Sequence, residues 1–71
     1  MMWKTNKING CEYWAKVYDE GSIYGINEGR ISKLSVTRNG QEIINYDRGW
    51  DVEPQTAEDK DILNQLIAMY K

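Results

Sequence analysis

Residues 2–19 read MWKTNKINGCEYWAKVYD, and the Asn9-Gly10 dipeptide within them decides how the fold begins. Asn-Gly between segments rich in β-branched and aromatic residues is a strong hairpin signal, because both residues tolerate the positive φ angles of a two-residue turn. The turn predicts a hairpin with strands over residues 2–8 and 11–19. Three pairs then share one face of this hairpin: Trp3 with Lys16, Thr5 with Trp14, and Lys7 with Glu12.

A second Asn-Gly dipeptide, Asn39-Gly40, predicts another hairpin, with strands over residues 31–37 and 41–47. A two-residue turn there sets Leu34 opposite Asn45, which divides the apolar side chains between the two faces. A three-residue loop, with the glycine as a left-handed bulge residue, pairs Leu34 with Ile44 instead. It gathers four apolar side chains on one face, Leu34, Val36, Ile44 and Tyr46. We therefore predict the bulged register.

The rest of the chain supplies a connection and a helix. Residues 20–29 carry three glycines without a lasting period, so they form either a long connection or a partly formed strand. Pro54 ends the last strand, and Thr56 is expected to cap a helix over residues 57–70. Five apolar side chains share one face of this helix: Ile62, Leu63, Leu66, Ile67 and Tyr70. One apolar stripe covers one sheet face, so residues 1–71 are predicted to form a single α+β domain, a four-stranded antiparallel sheet of two hairpins packed on one face by the C-terminal helix.

Composition and charge place limits on location and partners. The chain is 41% hydrophobic and 28% charged, which is typical of a globular protein. Cys11 is its one cysteine, which excludes an internal disulfide and favours a reducing cytoplasm. Residues 1–20 are too rich in charges for a signal peptide or a membrane span. We therefore expect a cytoplasmic protein without membrane attachment, and the net charge of −2 makes nucleic acid a less favoured partner.

Three segments carry a resemblance to a known family: EGSIYGI at 20–26, GRISKL at 29–34 and NYDRGWD at 45–51. In these segments the chain resembles a family of short proteins of unknown function from Gram-positive gut bacteria, their phages and mobile elements. The likeness extends from Trp3 to the C-terminal helix. It implies a genomic setting, and it brings with it no activity, cofactor or catalytic residue.

The side chains needed for most enzyme classes are missing from the sequence. Without histidine and with one cysteine, the chain cannot build the common transition-metal sites or a histidine-dependent catalytic triad. Asp47 and Asp51 are a carboxylate pair, but a turn with solvated ion pairs around Arg48 is the expected arrangement. Residues 25–30, GINEGR, lack the spacing of a phosphate-binding loop. We predict no enzymatic activity, no cofactor and no metal, and a small, partly buried apolar role for Cys11.

The aromatic content indicates a binding surface. Three tryptophans and five tyrosines, with no phenylalanine, favour side chains that have an apolar body and a polar tip, the kind enriched in interfaces. The helix covers one sheet face, so aromatic side chains on the other face stay available. We predict a surface that joins this open face to the Arg48-Gly49-Trp50 corner: Trp3, Trp14, Lys16, Tyr18, Arg48 and Trp50. The alternative is that these aromatics pack as cross-strand pairs beneath lysine stems.

Three functional hypotheses follow. The leading one is a non-enzymatic protein–protein interaction module whose partner is an unidentified protein or a second copy of the chain, as in a homodimer. The second is a single-stranded nucleic-acid-binding module, in which aromatics stack on bases and five cations hold phosphates, Lys16, Arg30, Lys33, Arg38 and Arg48. A pI near 5.0 counts against it. The third is a small acidic inhibitor of a host defence complex, which rests on the genomic setting that the resemblance implies.

Overall fold

The protein is a five-stranded antiparallel sheet with one helix packed across it. The computed structural model describes residues 2–71, so Met1 of the predicted domain lies outside the described residues. The elements are β1 (Met2–Ile8), β2 (Cys11–Val17), a 3-10 turn (Ile26–Glu28), β3 (Ile31–Arg38), β4 (Gln41–Asp47), β5 (Trp50–Val52) and α1 (Ala57–Met69). The strands lie side by side in chain order. The predicted α+β class, with one open antiparallel sheet and a C-terminal helix, is confirmed, but the sheet has five strands and not four.

The first hairpin has the predicted register. Asn9 and Gly10 form its turn with φ angles of 49° and 79°. Three predicted pairs are present, Trp3 with Lys16, Thr5 with Trp14, and Lys7 with Glu12. The second strand ends at Val17, two residues before the predicted end, because the pairing with β3 becomes irregular after Lys16. Beyond it, the Tyr18 amide still donates to the Arg30 carbonyl oxygen at 2.9 Å.

The predicted register of the second hairpin is wrong. Asn39 and Gly40 have φ angles of 53° and 80°, so they form a two-residue turn, and no bulge lies in the loop. The extra residue is Ile43, inside β4, where the register shifts. Beyond this bulge two pairs share the helix-covered face, Val36 with Ile44 and Leu34 with Tyr46. The bulge therefore restores the apolar face that an uninterrupted register would split, and all four of these side chains are buried, as expected.

The fifth strand was not predicted. After β4 the chain reverses through Arg48, whose φ is 56°, and Trp50 pairs with Tyr46. The Asp47 amide donates to the Gly49 carbonyl oxygen at 2.9 Å, which closes the turn. A strand of three residues is too short to show a period-two pattern, so the sequence carried no signal for it.

Helix α1 covers one face of the sheet, as predicted. The Thr56 hydroxyl caps the helix by accepting a hydrogen bond from the Asp59 amide at 3.1 Å. Ile62 and Leu66 are fully buried, and the partly buried Leu63, Ile67 and Tyr70 pack against the same core. From the sheet the core takes eight fully or nearly fully buried side chains: Cys11, Tyr13, Ala15, Val17, Ile31, Leu34, Val36 and Ile44. Within residues 2–71, no helix is long and apolar enough to cross a membrane.

The end of the helix is fixed to the sheet by a pair of tyrosines. The hydroxyl groups of Tyr13 and Tyr70 are 2.7 Å apart, and their ring centroids are 6.4 Å apart. Burial, helped by this hydrogen bond, raises the pKa of Tyr70 to about 12. Cys11 precedes Tyr13 by two residues on the same face of β2 and is fully buried, which is deeper than the partly buried position expected for it.

The connection between the hairpins is a loop and not a strand. Ile26 is the buried side chain of its 3-10 turn. The loop folds back on itself at Gly25. Its backbone comes so close to Gly29 that a Cβ atom at residue 25 would overlap the Gly29 carbonyl group. It is held to the sheet by the Tyr46 hydroxyl, which donates to the Tyr24 carbonyl oxygen at 2.8 Å. The loop therefore packs beside the sheet and is anchored to it by Tyr46.

Candidate binding surface

The sheet face opposite α1 carries three rows of side chains. Because directly paired residues lie on the same face, the strand registers give the rows as Trp3–Lys16–Lys33–Asp47, Thr5–Trp14–Ser35–Asn45 and Lys7–Glu12–Thr37–Glu42. We call this surface the open face. It is mostly polar and charged, and its two tryptophans lie together near the β1 edge.

Four of the sequence-predicted residues form one continuous patch at this edge: Trp3, Trp14, Lys16 and Tyr18. The rings of Trp3 and Trp14 have centroids 5.4 Å apart and are tilted by 55°. The Lys16 ammonium group lies 5.8 Å from the centre of the Trp3 ring and 5.4 Å from that of Tyr18, within cation–π range. Despite these contacts, Trp3 stays 54% exposed, and Trp14 and Tyr18 stay 40% exposed. We call these four residues the aromatic patch.

Trp50, which the sequence placed beside this patch, lies on the other face. It pairs directly with the buried Tyr46, and the two rings meet edge to face with centroids 5.0 Å apart. Its position depends on β5, which reverses the chain after Arg48. The sequence could not separate Arg48 from Trp50, because it gave no sign that a strand begins between them.

Arg48 comes close to the aromatic patch at the end of β4. Together with Lys16 and Lys33 it lines an open depression of about 710 Å³, walled by Tyr18 and Tyr24. Asp19 and Glu20 also line it. We call this depression the basic pocket. The prediction of a binding surface missed Lys33 and Tyr24, since the pairing of β2 with β3 brings Lys33 to Lys16 and the path of the loop brings Tyr24 to the same depression.

The comparisons with known proteins place the chain in a family. The model of a domain of unknown function, DUF7678, matches residues 2–71. The chain belongs to the DUF7678 family. Its resemblance to an uncharacterised family is thereby confirmed. No curated protein and no solved structure matches the chain. Membership of DUF7678 brings no activity with it, so the functional argument depends on the geometry of the site.

A hydrogen-bonded cluster lies beside Trp14 on the open face of this DUF7678 domain. One oxygen of the Glu42 carboxylate accepts from the Asn45 amide group and from the Ser35 hydroxyl, each at 2.7 Å. These two bonds, the Asn45 bond first, lower the pKa of Glu42. Ser35 is buried and Glu42 is exposed. The carboxylate is therefore ionised at neutral pH. Its two hydrogen bonds run along the open face and fix the Ser35 and Asn45 side chains next to Trp14.

Two of the five cations proposed for phosphate binding donate hydrogen bonds to groups within the domain. Arg38 donates to the buried Asp59 carboxylate at 2.9 Å, and this hydrogen bond is the largest cause of its raised pKa. Arg30 donates to the Tyr18 carbonyl oxygen at 2.8 Å and to that of Lys71 at 3.2 Å. The remaining three, Lys16, Lys33 and Arg48, are the cations of the basic pocket.

The Asp47 carboxylate at the end of β4 forms ion pairs with Lys33 on β3 and with Arg48 in the turn that follows. Asp47 Oδ1 is 3.7 Å from the Lys33 ammonium nitrogen and 3.6 Å from Arg48 Nε. In the part of the chain that the structure describes, no cluster of three or more histidine, cysteine or acidic side chains has the arrangement of a metal site. The open face therefore carries lysines and acidic side chains together, and its exposed aromatic rings are grouped at the β1 edge.

Proposed function

We propose that the protein is a non-enzymatic protein–protein interaction module that binds its partner through the aromatic patch and Arg48. The observation that supports the proposal is the contiguity of Trp3, Trp14 and Tyr18 on a sheet face that α1 leaves uncovered. Tryptophan, tyrosine and arginine are the side chains that most often dominate binding energy at interfaces. Trp50 is left out of the proposed surface, since it packs on Tyr46 across the sheet.

The patch is ordered before a partner arrives, which favours binding. Trp3 and Trp14 project from the two paired strands of the first hairpin, and Lys16 lies over two rings. Side chains that are already fixed lose less conformational entropy when an interface forms. A partner that covers these rings therefore keeps most of the free energy released by burying them.

Burial of the Trp14 ring alone should supply a measurable share of the binding free energy. Trp14 is 40% exposed, which corresponds to roughly 100 Å² for a side chain of its size. Burying this area stabilises a complex by about 2.5 kcal/mol. Loss of the ring should then raise Kd on the order of 50-fold.

We propose a second copy of the chain or another protein as the partner, and the cytoplasm as the location. The absence of any disulfide supports a reducing compartment, since Cys11 is free and buried. The resemblance noted above supports a Gram-positive bacterium, its phage or a mobile element as the source. Inspection of the neighbouring genes tests that setting, because genes for replication, conjugation or interference with host defence would each indicate a different partner.

The chain offers a matched pair of variants for testing the patch. Trp14 and Trp50 have similar exposure, 40% and 38%, and each contacts one other aromatic ring, but they lie on opposite faces. Trp14→Ser should weaken, on the order of 50-fold, a complex that Trp50→Ser leaves intact. Light scattering detects self-association. Affinity capture with the wild type, Trp14→Ser and Trp50→Ser detects another partner protein.

The proposal fails under two joint conditions. The wild-type protein would have to be a monomer at high concentration, and no captured protein would depend on Trp14 more than on Trp50. Circular dichroism of each variant provides the control for folding.

A further inference from the structure

We propose that the basic pocket is a carboxylate-binding subsite, which receives an aspartate or glutamate side chain of the protein partner while the aromatic patch holds a neighbouring apolar side chain. This inference rests on the proposed function and names the chemistry of the partner. It assigns a role to Lys33, which lies outside the aromatic patch.

The first observation is a pair of like charges placed directly opposite each other. Lys16 on β2 and Lys33 on β3 are paired residues in the register, so both side chains project from the same point of the open face. Like charges in this position destabilise a sheet. An anion that lies between the two ammonium groups would remove the repulsion. Asp47, 3.7 Å from the Lys33 ammonium nitrogen, offsets part of this repulsion, and a ligand carboxylate would offset the part that remains at Lys16.

The second observation is the backbone at Arg48. Five residues other than glycine have a positive φ, and three of them are asparagines, which tolerate it: Asn9, Asn27 and Asn39. Arginine has no such tolerance, yet Arg48 occupies the turn with a φ of 56°. Its amide donates to the Ser32 carbonyl oxygen at 3.0 Å, which fixes the turn against β3. The fifth residue, Glu28 in the 3-10 turn, has a similar φ of 58°; Arg48 differs from it in lying at a pocket that holds two further cations, and strained backbone clusters at functional sites.

The third observation is that the pocket cations keep hydrogen-bond donors available. Within residues 2–71, the side chains of Lys16, Lys33 and Arg48 donate no hydrogen bond to a carboxylate, whereas Arg38 does so at 2.9 Å. Asp47 neutralises part of their charge at 3.6 to 3.7 Å, which is too long for a hydrogen bond. An incoming carboxylate would therefore gain short, charge-assisted bonds that Asp47 does not make.

The charge of the lining favours one carboxylate over a phosphate backbone. The pocket is lined by three cations and two carboxylates, those of Asp19 and Glu20. Asp47 pairs with two of these cations from outside the lining, so the site has room for a single further negative group and not for a series of them. A nucleic acid brings a continuous series of charges to a chain whose net charge is −2, and it would be repelled beyond the pocket.

The pocket and the aromatic patch share residues, which sets the spacing of the ligand groups. Lys16 and Tyr18 belong to both, so the two sites are contiguous. An extended partner segment presents every second side chain on the same face. An acidic residue two or four positions from a large apolar residue therefore matches the surface.

The test is selection from a displayed library of random 12-residue peptides on the immobilised full-length protein. Peptides retained by the wild type and lost with Trp14→Ser should contain an acidic residue near an apolar one. Synthesis of the best peptide with glutamate or aspartate, and with the matching amide, then isolates the carboxylate. We expect the amide peptide to bind at least tenfold more weakly.

Charge-matched variants locate the contact. Lys33→Gln should weaken the acidic peptide about tenfold and leave the amide peptide unchanged. Lys60→Gln removes the same charge from the exposed side of α1 and should change neither. Arg48→Asn should also weaken the acidic peptide, without lowering the melting temperature, because asparagine suits a φ of 56°.

Each outcome decides a separate point. Trp14-dependent peptides that bind equally as acid and amide would overturn the carboxylate subsite and leave the interaction module standing. Equal losses with Lys33→Gln and Lys60→Gln would also overturn it, since net charge would explain them. Tighter binding of a mixed-sequence 12-nucleotide DNA strand, weakened by Lys33→Gln, would overturn it in favour of a phosphate ligand. A selection without any Trp14-dependent peptide counts against the proposed function, and the subsite fails with it.

Discussion

Replacement of Leu66 by alanine tests whether α1 encloses the core of the domain. Leu66 is fully buried at the centre of the helix stripe. Leucine-to-alanine changes at such sites cost about 2 to 5 kcal/mol, through lost burial and the cavity left behind. A domain of this length is expected to unfold with roughly 4 to 10 kcal/mol in total. The variant should therefore lose a large part of its stability.

Thermal denaturation followed by circular dichroism measures this loss. In a domain of this size each kcal/mol shifts Tm by about 4 to 8 °C, so Leu66→Ala should lower Tm by at least about 8 °C. Leu63→Ala provides the matched control, since Leu63 lies on the same helix and is only partly buried. The same change in helix propensity occurs in both variants, so the difference between them reports burial.

Trp14→Ser completes the comparison. Trp14 is 40% exposed on the open face, and its replacement should lower Tm by much less than that of Leu66. If Leu66→Ala melts near the wild type while Trp14→Ser unfolds, the assignment of the two sheet faces is wrong. The proposed binding surface would then have to be abandoned.

Three further predictions concern single contacts. The bonded Glu42 has a lowered pKa, so its contribution to stability is present above its unfolded pKa and is lost as pH falls through the folded value; the Tm advantage of wild type over Glu42→Gln should be clear at pH 6 and shrink steadily on acidification. Arg38→Gln should lower Tm, because it leaves the buried Asp59 carboxylate without its cation, whereas Lys60→Gln should not. Gly25→Ala should lower Tm through overlap with the Gly29 backbone, while Gly49→Ala, with no atom within 4 Å of the added Cβ, should be tolerated; equal melting of the two would contradict the loop geometry.

The sequence predicted what local signals determine. Asn9-Gly10 sets the first hairpin by itself, since a two-residue turn leaves one register available. In the second hairpin the demand for one apolar face was recognised correctly, but the extra residue was placed in the loop. The structure places it at Ile43, which is partly buried and packs against the core. Apolar patterning requires a bulge and does not say where in the hairpin it lies.

The candidate site was likewise predicted in part, where a local turn sets the contacts. Trp3, Trp14 and Lys16 were grouped correctly because one local turn aligns them. The contact of Lys16 with Lys33 depends on the pairing of β2 with β3, which are joined by a long loop and not by a tight turn. No short-range signal fixes a register across such a connection. The basic pocket is therefore a property of the assembled sheet.

The edge of β1 explains why a partner is expected on the face and not along the strand. In a two-residue hairpin the residues that flank the turn bond to each other, so the backbone groups of Trp3, Thr5 and Lys7 point away from β2. The Asn6 side chain already accepts a hydrogen bond from the Lys7 amide at 2.8 Å. The lysine side chains of β1 further oppose the addition of a strand, since charged edges resist pairing. A partner that approaches from above the sheet meets both tryptophans and the basic pocket without removing this protection.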